Sequence, residues 1–239
     1  MTSEKKLNAI IIGATGAVGR ELVDYLLQNS NYEKITIFVR RIIDRWVDLP
    51  EEKKTKLNII EVENLDFLAN DKEQLLTLLN DNVKYDVLFN VLGSRVGRGK
   101  EEFRKVDFTY VVNSCEMCEK LNISHFSNCS AMGADKKSCL YYSKVKGEAE
   151  EECLSRNVNC ISIFKPGLIL NRDNDKRCSE KIFECFSCCY PHISSKDIAM
   201  AMIEDDLEYQ KGSKENKIGI RISNKEMKKL AEKGNNMWL

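Results

Sequence analysis

A chain of 239 residues with 43% hydrophobic side chains can bury its own core, which excludes a disordered chain and fits one domain or at most two small ones. Its 37 Lys and Arg balance 37 Asp and Glu, and this neutrality argues against nucleic acid as a primary partner, since phosphate binding usually leaves a basic excess. No apolar run approaches the roughly 20 residues that span a bilayer, so no membrane span is expected.

Leu7–Ile12 is an apolar run broken only by Asn8, the pattern of a strand buried on both faces. Its charged head and the glycine turn after it do not read as a secretory signal. Past the turn Gly13–Gly16, Val18, Leu22 and Leu26 recur at helical spacing, and Ile35–Val39 is a second apolar, β-branched run. Such a strand–helix–strand unit requires parallel strands. Leu57–Val62 then reads as a strand, Asp71–Leu79 as a helix and Tyr85–Leu92 as a strand. A helix over Phe103–Leu121, a strand over His125–Cys129, a helix over Leu140–Arg156 and a strand over Cys160–Phe164 follow. Lys181–Cys189 has helical spacing and Ile218–Ile222 reads as one more strand. Ser194-x-x-Asp197 and Ser223-x-x-Glu226 resemble capping boxes opening short helices. The alternation predicts an α/β fold with a doubly wound parallel sheet of Rossmann type. It is expected to be a single domain over 1–239, with residues 168–239 as a small substrate-side extension.

The turn Gly13-Ala14-Thr15-Gly16-Ala17-Val18-Gly19 joins the first strand to the first helix. Glycine allows the tight turn and lets backbone amides approach a pyrophosphate, and the third glycine lets helix and strand pack closely. This context predicts dinucleotide binding. The second strand ends in Arg40-Arg41, where an acidic residue would instead favour NAD. Guanidinium donors suit a 2′-phosphate, so NADP(H) is the expected cofactor. Adjacent strand residues face opposite ways, so only one of the two arginines makes the main contact. Glu63 and Asn64 follow the third strand, where the adenine would lie. Leu92-Gly93-Ser94 follows the fourth, beneath the nicotinamide half. Arg95–Lys100 reads equally as a substrate lid or a solvated loop.

Tyr142 and Lys146 stand four residues apart on one helical face. An ammonium near a phenol favours phenolate, which lets tyrosine exchange a proton with a substrate oxygen while hydride moves at the nicotinamide. Ser130, at the end of the fifth strand, is placed to hold the same oxygen.

With the glycine turn, Ser130, Tyr142/Lys146 and Pro166-Gly167 together, nearly the whole chain resembles the short-chain dehydrogenase/reductase superfamily. Gly133-Ala-Asp-Lys136, the run Tyr142-x-x-x-Lys146-Gly147-Glu148 and Phe164-Lys-Pro-Gly167 resemble its atypical Tat-interacting protein branch. Arg40-Arg41, Leu92-Gly93-Ser94 and the stretch from Ser223 to Met227 match it too. The resemblance implies Ser130, Tyr142 and Lys146 as catalytic positions, with NADP(H) in the crevice beside Pro166 and Gly167. Asp107 falls where many superfamily members carry an asparagine that completes a proton relay.

Two functions are expected to compete. One is an NADPH-dependent oxidoreductase passing hydride to a small carbonyl substrate. The other is a weakly catalytic or non-catalytic NADP(H)-binding protein that regulates a protein partner. Ten cysteines, with no secretion signal, are expected as reduced thiols of a cytoplasmic protein, with no metal site. The Lys- and Glu-rich helix after Leu140 suits a solvated face, so a monomer is expected.

Overall fold

Alternate residues of the first strand bury in different cores: Leu7, Ala9 and Ile11 join one cluster, while Ile10 and Ile12 join the other. A strand with two buried faces has no polar side to show, which is why every residue but Asn8, near its start and half-buried, is apolar. It is β1 (Leu7–Ile12) of a computed structural model that describes residues 5–79, 83–170, 191–212 and 218–238. After it come α1 (Ala17–Gln28), β2 (Tyr32–Val39), α2 (Glu51–Lys56), β3 (Leu57–Glu61), α3 (Lys72–Leu79) and β4 (Val87–Asn90). Next are α4 (Lys100–Arg104), α5 (Tyr110–Leu121), β5 (His125–Cys129), α6 (Tyr141–Leu154), β6 (Cys160–Lys165) and β7 (Leu168–Leu170). The described chain closes with β8 (His192–Ser194), α7 (Ser195–Gln210), β9 (Ile218–Ser223) and α8 (Asn224–Trp238).

Seven strands form one parallel sheet in the order β3-β2-β1-β4-β5-β6-β9. Strand order reverses at β1, so the chain leaves β1 and β4 in opposite directions and a crevice opens between their carboxyl ends. Helices α1 and α7 pack together on one face of the sheet, and α5 and α6 on the other. This is the doubly wound fold that the alternation predicts. Within residues 168–239, β9 extends the main sheet beside β6, α7 packs on α1, and β7 pairs with β8 in a separate parallel ribbon.

Three local readings need correction. The helices opened by the two capping boxes are not short: α7 runs 16 residues and α8 runs 15. In α7 even Glu204, Asp205 and Asp206 are buried beside Ile198 to Ile203, and a helix buried all round shows no apolar stripe to read. The helix predicted from Phe103 begins at Lys100 and is interrupted by a π-helical turn at Lys105–Thr109. The wider turn re-aims the side chains it carries, Asp107 among them. The short ribbon of β7 and β8 has too few residues for a period to register. The predicted helix Lys181–Cys189 lies outside the described residues, as do Cys178, Cys185, Cys188 and Cys189.

At the amino end of the sheet, β5 starts with His125, which is fully buried with Ser162, Asp205 and Asp206. Its Nδ1 meets Asp206 Oδ1 at 2.7 Å and its Nε2 meets Ser162 Oγ at 3.1 Å. Ser162 donates its own hydrogen to Asp205 at 2.6 Å, and Tyr32 donates to Asp206 at 2.5 Å. Serine, histidine and aspartate thus follow one another as in a hydrolase. Every partner is internal, however, and the serine hydrogen points away from the imidazole, so the network is structural. Burial alone would push the imidazole down, but the hydrogen bond to Asp206, with Cys160 beside it, carries His125 up to about 10.

A histidine raised in the folded state stabilises fully below its ordinary value of 6.5 and loses that contribution as pH rises toward about 10. The urea midpoint of the wild type is expected to fall across that window. His125→Gln should flatten the fall and cost roughly 3–5 kcal/mol by removing the positive charge beside the buried Asp206 carboxylate, which keeps its neutral donors Tyr32 and Gln210. Urea titrations of both proteins at several pH values check this.

Candidate active site

Gly13 leaves β1 with φ +92°, and a Cβ there would lie 2.9 Å from the carbonyl carbon of Val91 at the end of β4. A Cβ on Gly19 would lie 2.2 Å from the Gly13 carbonyl oxygen, so the first turn of α1 is pressed onto the loop that precedes it. Gly16 caps α1 without a side chain, and the first turn holds no acidic residue. The leading amides of α1 are therefore left without a side-chain acceptor beside an open cavity.

Two cavities share this turn. The smaller, about 230 Å³, has Thr15, Gly16, Ala17 and Val18 on one wall and Ser130, Tyr142 and Lys146 on the other. Leu92, Gly93 and Ser94 form its floor and continue into the larger cavity, about 350 Å³. The larger runs past Gly13, Phe38, Arg40, Glu63 and Asn64. Most of the residues expected from the sequence are thereby brought to one crevice. Ala14 and Gly19 are buried behind the turn rather than in either wall. Arg41, Pro166 and Gly167 also lie outside both linings. The Pro166 carbonyl accepts from the Met132 amide at 2.9 Å, and the Gly167 amide donates to Asn224 at 3.0 Å.

Of the adjacent tyrosines, Tyr141 donates to the Lys100 carbonyl at 3.0 Å, whereas Tyr142 lines the smaller cavity. Among the described residues no protein group hydrogen-bonds the Tyr142 hydroxyl. Its ring lies 5.5 Å from that of Phe103, and Lys146 Nζ stands 5.9 Å from its centroid. Lys146 is buried, and its Nζ meets Asp107 Oδ1 at 2.8 Å. The contact is a buried ion pair at hydrogen-bond distance. Burial would push the ammonium down, but the Asp107 carboxylate outweighs it and holds Lys146 above the usual lysine range. Asp107 Oδ2 accepts from the Ser94 amide at 2.8 Å and its hydroxyl at 2.6 Å.

Sequence reading placed Asp107 only by region. Its partners became visible once the π-helical turn had aimed it at α6. Glu150 was missed. It stands four residues after Lys146, a spacing that reads as a solvated pair, yet it is buried and accepts from Ser130 Oγ at 2.5 Å. Cys129 and Ile169, also in the smaller cavity, gave no signal beyond their apolar surroundings. Cys115, Cys118, Cys129, Cys153 and Cys160 are buried free thiols, and Cys139 is an exposed one. Burial pushes Cys118 well up. Among the described residues, no three or more His, Cys, Asp or Glu are grouped to hold a metal ion, and no helix is long and apolar enough to cross a membrane.

Residues 13–204 match the family described as NAD(P)H-binding. The chain belongs to this NAD(P)H-binding family. It is similar to protein HTATIP2 of Rattus norvegicus, 28% identical over 199 residues, or 82% of this chain and 76% of that protein. It is also similar to the mitochondrial protein FMP52 of Kluyveromyces lactis, 27% identical over 77% of this chain and 78% of that one. Among solved structures it shares its fold with the UDP-glucuronic acid 4-epimerase of Bacillus cereus in complex with NAD. That match has a TM-score of 0.64 at 15% identity and covers 91% of this chain and 76% of the epimerase. A UDP-N-acetylglucosamine 4-epimerase from Methanobrevibacter ruminantium M1 matches at TM-score 0.65 and 16% identity, over 92% of this chain and 76% of that one.

In this NAD(P)H-binding chain the Gly19 contact leaves no room for a methyl group, and the atoms it would meet are backbone. Gly19→Ala is expected to lose roughly 1–3 kcal/mol of stability through overpacking, and NAD(P)H binding with it. Thermal unfolding with and without NADPH measures both.

Proposed function

We propose that this chain is an NADP(H)-dependent oxidoreductase of the short-chain dehydrogenase/reductase type, acting on a small carbonyl compound. One observation carries the reading: a Tyr142 hydroxyl with no hydrogen-bond partner among the described residues and a buried Lys146 ammonium share a cavity with the glycine turn. The site suits a dinucleotide. The uncapped first turn of α1, with no acidic residue in it, would hold a pyrophosphate at Gly13 to Gly19. Glu63 and Asn64 would border the adenine and Leu92 to Ser94 the nicotinamide, with Pro166 and Gly167 behind. When bound, the cofactor supplies hydride to the carbonyl carbon and leaves oxidised.

Tyr142 delivers the proton that the carbonyl oxygen then needs, and solvent restores it. Lys146 keeps a positive charge beside the phenol and would hydrogen-bond the nicotinamide ribose. Ser130 flanks the reacting oxygen. Ile169 lines the same cavity, which supports the reading of residues 168–239 as the substrate side. Arg40 lines the adenosine-side cavity and Arg41 does not, so Arg40 is the arginine that would meet a 2′-phosphate. Free thiols among the described residues support a cytoplasmic location, the FMP52 relatives are mitochondrial proteins, and fractionation distinguishes the two.

A second reading, an NADP(H)-binding regulator with little turnover, draws on Asp107. Its carboxylate offsets the Lys146 charge and so weakens the help that Lys146 gives Tyr142.

Arg40→Ser should lower NADPH affinity roughly tenfold or more and leave NADH binding almost unchanged, because one charge-assisted contact is worth roughly 1.5–3 kcal/mol. Arg41→Ser should change NADPH affinity much less. Fluorescence titrations with both cofactors measure this, and equal affinity for the two in the wild type sinks the NADP assignment. Tyr142→Phe should bind NADPH as before and lose carbonyl reduction, followed by cofactor absorbance. Undiminished turnover would reject Tyr142 as the proton donor.

A further inference from the structure

We propose that Glu150 makes Ser130 a hydrogen-bond acceptor, so that the site selects a carbonyl compound carrying a hydroxyl group next to its carbonyl. The substrate half of this statement rests on the oxidoreductase reading above. The geometry begins behind the cavity wall. Ser130 Oγ donates to Glu150 Oε1 at 2.5 Å, and both residues are buried. Glu150 Oε2 accepts from Lys165 Nζ at 3.0 Å and faces Arg221 Nε at 3.5 Å. Lys165 is itself fixed, because its Nζ also donates to the Ala134 carbonyl at 2.9 Å. A carboxylate set between two cations is ionised, and an ionised carboxylate only accepts.

A serine hydroxyl owns one hydrogen, and that of Ser130 is committed to Glu150. What Ser130 turns toward the cavity is therefore its lone pairs. The Ser130 backbone is also held, since its amide donates to the Phe164 carbonyl at 2.8 Å. On the same cavity, the Tyr142 hydroxyl has no partner among the described residues and is the donor. The site thus offers one O–H donor and one acceptor side by side. A bare carbonyl satisfies Tyr142 and turns its second lone pair on the lone pairs of Ser130. A carbonyl flanked by a hydroxyl satisfies both: the carbonyl oxygen accepts from Tyr142 and the hydroxyl donates to Ser130. Turning the Ser130 hydrogen toward a carbonyl instead would break a charge-assisted bond to a buried carboxylate, a loss on the order of ten- to hundredfold in binding. Glu150 is in this sense a positioning residue, acting through Ser130.

The test is binding of three small probes to the NADP⁺-loaded protein, where no reduction can follow. Of hydroxyacetone, methoxyacetone and butanone only the first carries a hydroxyl; methoxyacetone caps that oxygen with a methyl group and butanone replaces the hydroxyl with one. Titrations followed by NMR should show hydroxyacetone binding about tenfold tighter than the other two in the wild type. Glu150→Gln releases the Ser130 hydrogen and should abolish that preference by improving butanone. Ser130→Ala, which leaves the Glu150–Lys165 pair in place, should abolish it by weakening hydroxyacetone alone. Equal binding of the three probes by the wild type overturns the proposal. So does a loss of affinity for all three alike in Ser130→Ala, since that marks Ser130 as a donor to the carbonyl. Tight hydroxyacetone binding without its reduction by NADPH would count against the oxidoreductase reading and leave the acceptor role of Ser130 standing.

Discussion

A buried ammonium opposite a buried carboxylate holds the crevice together. Lys146 and Asp107 have both left water almost entirely, and neither would be tolerable there without the other. Asp107 reaches Lys146 because a π-helical turn displaces it inward, and its second oxygen fastens Ser94 after β4. One carboxylate therefore ties the end of β4, the turn before α5 and the face of α6 into one wall. Tyr142, one helical turn before Lys146, inherits its place from that pair. The same pair sets a limit on the chemistry, because a charge already matched by Asp107 has less effect on the phenol beside it.

Strand β5 separates the two kinds of buried polar chemistry in this chain. At its amino end His125 is held between aspartates and a serine, with every partner inside the protein. Just past its carboxyl end, Ser130 has Glu150 behind it and an open cavity in front. The chemistry of the two ends is alike: a hydroxyl, a carboxylate and a basic group. What differs is whether a face is left for a ligand. The sheet order decides this, because the crevice opens only where β1 and β4 diverge.

Much of this architecture is legible in the sequence because its signals are local. The run Leu7–Ile12 is apolar at every position after Asn8 because both faces are buried, and the glycines that follow answer contacts with the next few residues and with the end of β4. The four-residue spacing of Tyr142 and Lys146 is likewise contained in one helix. Where the signal is not local, the reading fails. Glu150 lies on the same helix, but its role depends on Ser130, Lys165 and Arg221, which come from the end of β5, from β6 and from β9. Helix α7 hides its length because charged residues such as Asp205 and Asp206 are buried against partners on other elements. Of Arg40 and Arg41, pattern alone finds the pair, and only the cavity distinguishes them.

The central claim is that hydride leaves a nicotinamide in this crevice for a carbonyl carbon held beside Tyr142. Deuterium placed on the nicotinamide ring carbon of NADPH follows that event directly. Incubated with the protein and a panel of small carbonyl compounds, the label is expected to appear on the carbinol carbon of the product, from one face of the nicotinamide only. Protein that binds NADPH and yet passes no label to any carbonyl compound would contradict the account and leave a cofactor-binding protein without the reaction.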